Sequence, residues 1–531
     1  MKNNNNNNLF SLACIFLTCY LIVHFWGCVA FKGQVEEQGR SPIRENSQIS
    51  IFMNGPDLSS FNITFTLSSV KIVKAEGTVI EILEDPISIN SISSRGIQFF
   101  IGEKNLPDGK YEKIQLAVKD ASIMRKDKKI GLSLSSEVIE IVKQIVLNKK
   151  ENTSLFISWN PDASISEGFQ FNPRFTVTGE EPELGTLLIY VTNESSDNVS
   201  VINRQSGRVV STVMVGRKPR GIAAGRQKDR LKIYVANSAS NSVSVIDPTL
   251  NRVENEIPLR FGWRPEDVEI AELSLDKELI IVANYTSNNV SVIDSLSLQE
   301  IEGVAVGRGP IAIAVDPPVE TLFRTRFLSA ENISILKDYR EKFINIYVAN
   351  ELSNDVSVLK INIFSGEIED VIHIDVEWQP VSLTVDYYRG KVYVANYNSD
   401  KVSVMDILQI VKGNISGAVS TIDDIGRSVT GIAADSTFDR IYVLREDRNE
   451  IMILKSLTES FGAFETTTIP RLGAIAVGAM PGYLTFDPEN RKLYVVNRGS
   501  NTVSVISKIT QREERVIAVG RYPYDIAIFQ E

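Results

Sequence analysis

From Leu187 onward, apolar and polar positions alternate in a unit that returns about every 45 residues. The clearest copy is IYVANSASNSVSVID, Ile233 to Asp247, in which two alternating runs flank an Asn/Ser cluster. β-Branched and aromatic residues at every second position suit a pleated strand, and the polar cluster suits a tight turn. The block Y-V-x-N stands at Tyr190, Tyr234, Tyr347, Tyr393 and Tyr494, and six residues after its Asn come V-S-V and a large apolar residue. Degenerate copies at Ile281 (IVAN, then VSVID) and Tyr442 (YVLR, then IMIL) bring the number to seven.

A second element precedes most of these blocks, a Pro followed by a short apolar run. It begins at Pro219, Pro265, Pro310, Pro380, Pro481 and Pro523, and Val429 takes the remaining place without a Pro. The two series are offset. The block at Tyr190 has no Pro run before it, and the run Tyr524 to Phe529 has no block after it. If the C-terminal run supplies the strand that the first block lacks, a ring of sheets closes without an open edge. The chain is therefore expected to be all-β, a seven-bladed β-propeller of four-stranded blades clasped by its last strand.

The YVAN and YVTN blocks with their V-S-V-I-D partners resemble the YVTN-family β-propeller repeats of bacterial surface and periplasmic proteins. The resemblance covers residues 185–531 and implies an exported binding protein. Blade six departs from it, with Arg445 and Arg448 in place of the usual Asn and Ser.

Between residues 48 and 179 the Tyr block is absent. ISIFM, FNITFTLSSVKIV, TVIEIL, IQFFIG, YEKIQLAVKDASI, SLFISW and FQFNPRFTV read as strands between Gly, Pro, Asp and Asn turns. They predict an immunoglobulin-like or transthyretin-like β-sandwich domain preceding the propeller. Leu106 to Ile123 is similar to part of a bacterial sandwich domain of unassigned function. Ser136 to Val146 is read as a helix, and Glu180 to Leu184 as the linker. Residues 28–47 are polar and aperiodic, as a tether would be. Residues 1–27 carry an apolar run, Leu9 to Trp26, that reads as a secretion signal, with a retained membrane helix as the alternative. The ending Phe25-Trp26-Gly27-Cys28 resembles a bacterial lipoprotein signal, although Phe25 stands where Leu is usual. The resemblance implies cleavage before Cys28 and its acylation.

Composition narrows the chemistry. The three cysteines are Cys14, Cys19 and Cys28, so cleavage would leave no internal disulfide and no thiolate metal site. Of two histidines, His24 lies in the leader and only His373 remains, which excludes a Cys/His zinc site and rests any Ser-His-Asp triad on one residue. A net charge of −10 argues against a phosphate backbone as partner. Recurrent acids (Asp247, Asp294, Asp316, Asp386, Asp406, Asp435, Asp487) read as turn residues, a carboxylate-lined metal site at the channel being the enzymatic alternative.

Two departures from the repeat carry functional expectations. Insertions at Pro318 to Lys342, Ile407 to Gly417 and Ser456 to Leu472 fall on one face of consecutive blades. On the other face, the position two before each Pro reads Arg217, Trp263, Arg308, Trp378, Arg427, Ala479 and Arg521. Four arginines and two tryptophans round one mouth would form a rim for an anionic ligand; repeat consensus packing the turns is the other reading. The sequence thus predicts a lipid-anchored, exported, monomeric cell-surface or periplasmic protein that binds a protein or glycan. No enzymatic activity, cofactor or metal is expected. A propeller hydrolase such as a sugar lactonase, and a nucleic-acid-binding propeller, are the alternatives.

Overall fold

The computed structural model describes residues 46–529 except 182–183, 185–186, 226–230, 275, 325–326, 457–468, 488 and 490. The leader and Cys28 lie outside the described residues. Among these residues no helix is long and apolar enough to cross a membrane.

Residues 47–178 form two facing sheets. One has the order Arg174–Thr178, Asn152–Asn160, Ser47–Asn54, Gln98–Leu106. The other is built on Asn62–Lys74 paired antiparallel with Gly109–Arg125. Alternation decides which faces meet: Ile63, Phe65, Leu67, Val70 and Ile72 are fully buried against Ile49, Ile51 and Met53. Trp159 stands edge-on to Phe65, with ring centroids 4.8 Å apart, and its indole N–H donates to Ser164 at 3.0 Å. The helix expected over Ser136 to Val146 is a strand, Val138–Leu147, paired with residues 109–117. Val138, Ile139, Ile141, Val142, Ile145 and Val146 are β-branched, and such side chains fit a pleated surface better than a helix turn.

Seven further four-stranded antiparallel sheets follow. Their innermost strands begin at Pro219, Pro265, Pro310, Pro380, Val429, Pro481 and Pro523, and each neighbours the next until the last meets the first. Pro523–Ile528 pairs antiparallel with Leu188–Asn193, so the C-terminal strand completes the first blade. The ring is closed by the strand that the offset repeats assign to it.

The repeat residues are explained by packing. Asn193, Asn237, Asn284, Asn350, Asn396 and Asn497 are fully buried. Each donates its amide to the Ser seven residues on, at 2.8–3.1 Å. Gly216, Gly262, Gly307, Gly478 and Gly520 lie against these side chains, and an added Cβ would come within 2.3–2.7 Å of the Asn. Two residues after this position, Lys218, Arg264, Gly309, Gln379, Ser428, Met480 and Tyr522 all adopt φ of 50–67°. In six of the seven blades the N–H of that residue donates to an Asp or Asn in the turn of the preceding blade, at 2.6–2.9 Å. In blade six Arg445 replaces the Asn, 4% exposed, within 3.6 Å of both Asp447 and Glu450.

The acids that close the inner strands are more than turn residues. Asp386, Asp435 and Asp487 are buried and pair with Arg389, Lys508 and Arg204 at 2.7–2.8 Å. Asp316 faces Arg340 at 3.7 Å. Arg340 ends the inserted helix Ala330–Arg340, whose N-cap Ser329 accepts from Asn332 N–H. This helix shares a core with the helix Ile407–Val411 of the next blade, through Leu336, Ile407, Leu408 and Ile410. Two of the three insertions therefore pack together; residues 457–468 of the third lie outside the described residues.

The sandwich is fastened to the first blade. Gln98 exchanges side-chain hydrogen bonds with both backbone groups of Val209, at 3.1 and 2.8 Å. Ser154 accepts from Thr212 N–H at 2.9 Å. Phe52, Phe100 and Phe156 pack into the cluster of Ile189, Ile202 and Val209. The outer strand Arg208–Met214, a free edge in isolation, is thereby covered.

Candidate functional site

Inner strands of a ring run side by side without a shared hydrogen-bond ladder, so their first backbone groups need other partners. Side chains supply them. Asp525 accepts from Ile222 N–H of the neighbouring blade at 3.1 Å and from Ile526 N–H at 2.6 Å. Asp267 accepts from Ile313 N–H of its neighbour at 2.7 Å. Thr192 and Thr430 hydroxyls donate to Arg220 and Pro481 carbonyls. The price is burial of carboxylates. Burial pushes Asp525 up to about 8, and burial with the Asp525 charge raises Asp267 well above the usual carboxylate range. The same Asp525 charge, then burial, raises the Tyr483 phenol.

These residues surround a cavity of about 290 Å³ at one mouth of the channel. Its lower layer comes from the two positions after each Pro, including Glu266, Asp267, Ile311, Tyr524 and Asp525. Its upper layer comes from the position after the buried Asn, or after Arg445 in blade six: Glu351, Tyr397, Glu446 and Arg498.

Electrostatics divide the wall in two. On one side Arg220 and Arg264 are matched by Glu194 and Glu266. Arg220 bonds Glu266 and Glu194, the latter at 3.2 Å, and Arg264 Nε donates to Glu266 at 2.6 Å. Tyr524 lies between Arg220 and Arg498, whose guanidinium carbons stand 4.9 and 4.1 Å from its ring centre, and burial pushes its phenol up to about 12. On the other side Glu446 accepts the Tyr397 hydroxyl at 3.0 Å, and burial together with the nearby Glu351 raises the Tyr285 phenol. Among the described residues, neither Glu351, Glu446 nor Arg498 makes a salt bridge. Room for Arg498 is made by Gly482, where a Cβ would stand 2.2 Å from Nε.

The arginine–tryptophan rim is not what lines this cavity. Arg217 lays its guanidinium on the Ala239 carbonyl at 3.2 Å, and Arg308 on that of Leu352 at 3.2 Å. Arg521 is taken by the sandwich, bonding Glu84 at 2.7 Å and Glu103 at 3.2 Å. Arg427 is exposed, as are Trp263 at 40% and Trp378 at 69%. The backbone explains why the position recurs: the N–H groups of Arg217, Trp263, Arg308, Ala479 and Arg521 each donate to a turn Ser, at 2.6–3.0 Å. Of the four arginines, Arg521 alone faces two carboxylates. The signal that marks the cavity is different. The residue after the repeat Asn, or after Arg445 in blade six, reads Glu194, Ser238, Tyr285, Glu351, Tyr397, Glu446 and Arg498, changing from each blade to the next.

The surroundings of His373 do not make a triad. His373 Nδ1 lies 3.0 Å from Ser357 Oγ and 3.6 Å from Asp355 Oδ1. A triad needs opposite ring nitrogens for the nucleophile and the acid, and here both face the same one. Ser357 is also fully buried. Among the described residues, no group of three His, Cys, Asp or Glu side chains is placed to hold a metal ion.

No protein-family model matches the chain, and no curated protein matches it. Solved structures do. A functionally unknown protein from Desulfotomaculum acetoxidans is 13% identical over 65% of this chain and 99% of its own, with a TM-score of 0.50. Hydrazine synthase of Kuenenia stuttgartiensis is 17% identical, over 60% and 92%, with a TM-score of 0.48. A putative 6-phosphogluconolactonase from Bacteroides uniformis is 15% identical, over 65% and 99%, with a TM-score of 0.47. At such identity the likeness is one of fold, the β-propeller, and assigns no activity.

Proposed function

We propose that this protein is an exported, lipid-anchored binding protein that takes a ligand into the channel mouth of its propeller. The observation that carries the reading is the contrast in charge pairing. Asp386, Asp435 and Asp487, buried at the ends of inner strands, are matched by cations, whereas Glu351, Glu446 and Arg498 line a cavity without a salt bridge. Charged groups held at a concave surface and left unmatched are what a polar ligand would complete. The leader ending at Cys28, with no other cysteine after it, and the likeness of the repeats to YVTN-family proteins support attachment to a cell envelope.

The test is a thermal-shift screen of polar metabolites, saccharides and peptides against the protein and an Ile311→Trp variant. Ile311 lines the cavity, and an indole there would fill it. Hits lost in the variant support the reading; hits that survive unchanged refute it. A second reading, docking of a larger partner on the same face, is favoured by the exposure of Phe261, Trp263 and Trp378. Trp263→Ala with Trp378→Ala would then weaken binding while Ile311→Trp would not.

A further inference from the structure

Resting on that reading, the geometry points to the ligand class: we propose that the cavity binds a small molecule of amino-acid type, with a carboxylate at Arg498 and an ammonium at Glu351 and Glu446. Arg498 belongs to the seventh blade, Glu446 to the neighbouring sixth and Glu351 to the fourth, so Glu351 stands across the ring from Arg498 while Glu446 is turned toward Tyr397 of the fifth blade. Both poles are fixed. Arg498 is stacked on Tyr524 at 4.1 Å in the space left by Gly482, and its Nε finds no partner among the described residues. Glu446 is held by the Tyr397 hydroxyl at 3.0 Å, and Glu351 stands near the Tyr285 phenol.

A guanidinium presents a planar fork that matches a carboxylate, and each carboxylate can take an ammonium. Between them Ile311, Ala312 and Val381 offer an apolar floor for the ligand's carbon chain. A cavity of about 290 Å³ suits a free amino acid or a dipeptide and is small for a larger solute. Glu351 and Glu446 set two carboxylates against the one guanidinium of Arg498, and Asp267 and Asp525 beneath them add no cation, so a diamino acid completes the wall better than a neutral one.

Isothermal titration of the full chain in mild detergent tests this, with lysine, ornithine, leucine and glycyl-leucine as probes and pentanoate and pentylamine as single-pole controls. The diamino acids should bind most tightly, and each zwitterion at least tenfold more tightly than either control. Arg498→Gln should weaken every carboxylate-bearing probe tenfold or more and leave pentylamine unchanged; Glu351→Gln should do the converse. Arg498→Lys, which keeps the charge and loses the fork, should fall between, and a melting curve on each variant establishes folding. Pentylamine binding as tightly as lysine, pentanoate binding as tightly as leucine, or no probe binding at all overturns the inference. The Ile311→Trp screen decides separately whether the cavity is a site.

Discussion

The carboxyl of Asp525 makes stability depend on pH in the direction opposite to most acids. The group is 4% exposed, and burial pushes it up to about 8, against about 3.9 in an unfolded chain. The folded state therefore holds a proton that the unfolded state has released. The stability this contributes is fully present below about pH 4 and is lost as pH rises toward 8. A tenfold difference in proton affinity corresponds to about 1.4 kcal/mol, so the whole effect is bounded by roughly 6 kcal/mol. The N–H groups of Ile222 and Ile526 and the charge of Arg498 favour the ionised form, and rearrangement toward them reduces the cost. A loss of about 2 kcal/mol between pH 5 and 8 is the expected value. Asp525→Asn keeps an oxygen that can accept from Ile222 N–H and removes the titration. Urea unfolding of both proteins at pH 5, 6, 7 and 8 should show the wild type losing ground to the variant at each step, with the variant at least equal at pH 8. Parallel curves would refute the reasoning, and so would a wild type that gains on the variant as pH rises.

Three further outcomes are expected. Deleting residues 522–531 removes Pro523–Ile528 from the first blade and exposes strand edges on both sides, so the product should aggregate, and a monomer with an unchanged melting point would show that the ring does not depend on its clasp. Gly216→Ala would place a methyl 2.5 Å from the Asn237 side chain and should cost about 1–3 kcal/mol in denaturant unfolding, whereas Gly473→Ala, with nothing within 4 Å, should cost less than about 1 kcal/mol. Cys28→Ser should move the protein from the detergent to the aqueous phase on partitioning; retention in detergent would instead indicate an uncleaved apolar leader.

The architecture was legible because a repeat reports its own geometry many times over. The offset between Pro runs and Tyr blocks assigns Pro523–Ile528 to the first blade from spacing alone, and pairing with Leu188–Asn193 is what the structure shows. The faces of the insertions could be read from strand order alone, and the helices ending at Arg340 and beginning at Ile407 do meet. Val138–Leu147 was misread because its apolar residues fall at both strand and helix spacings, and β-branching was the cue that should have decided.

The site was harder to see for a reason that belongs to repeats in general. A position that keeps the same residue from blade to blade is answering a demand that every blade makes. The Gly of G-R-x-P meets the buried Asn, the next N–H meets a turn Ser, and the residue after that must adopt positive φ. Reading Arg217, Arg308, Arg427 and Arg521 as a rim assigned binding to positions whose recurrence has a structural cause. A ligand makes its demand once. It should be written where the geometry repeats and the residue does not, as at the position after the Asn, where Glu351, Glu446 and Arg498 differ from their counterparts Glu194, Ser238, Tyr285 and Tyr397 in residue or in pairing. Arg498 is the clearest instance, because it required a second departure, Gly482, in the neighbouring strand. Restoring a side chain there separates the two kinds of position. Gly482→Ala should displace Arg498 and abolish ligand binding at modest cost in stability, because the methyl meets the movable end of a side chain rather than backbone. Gly216→Ala should lower stability and leave binding intact. If both variants lose stability alike and neither touches binding, the seventh blade carries no site.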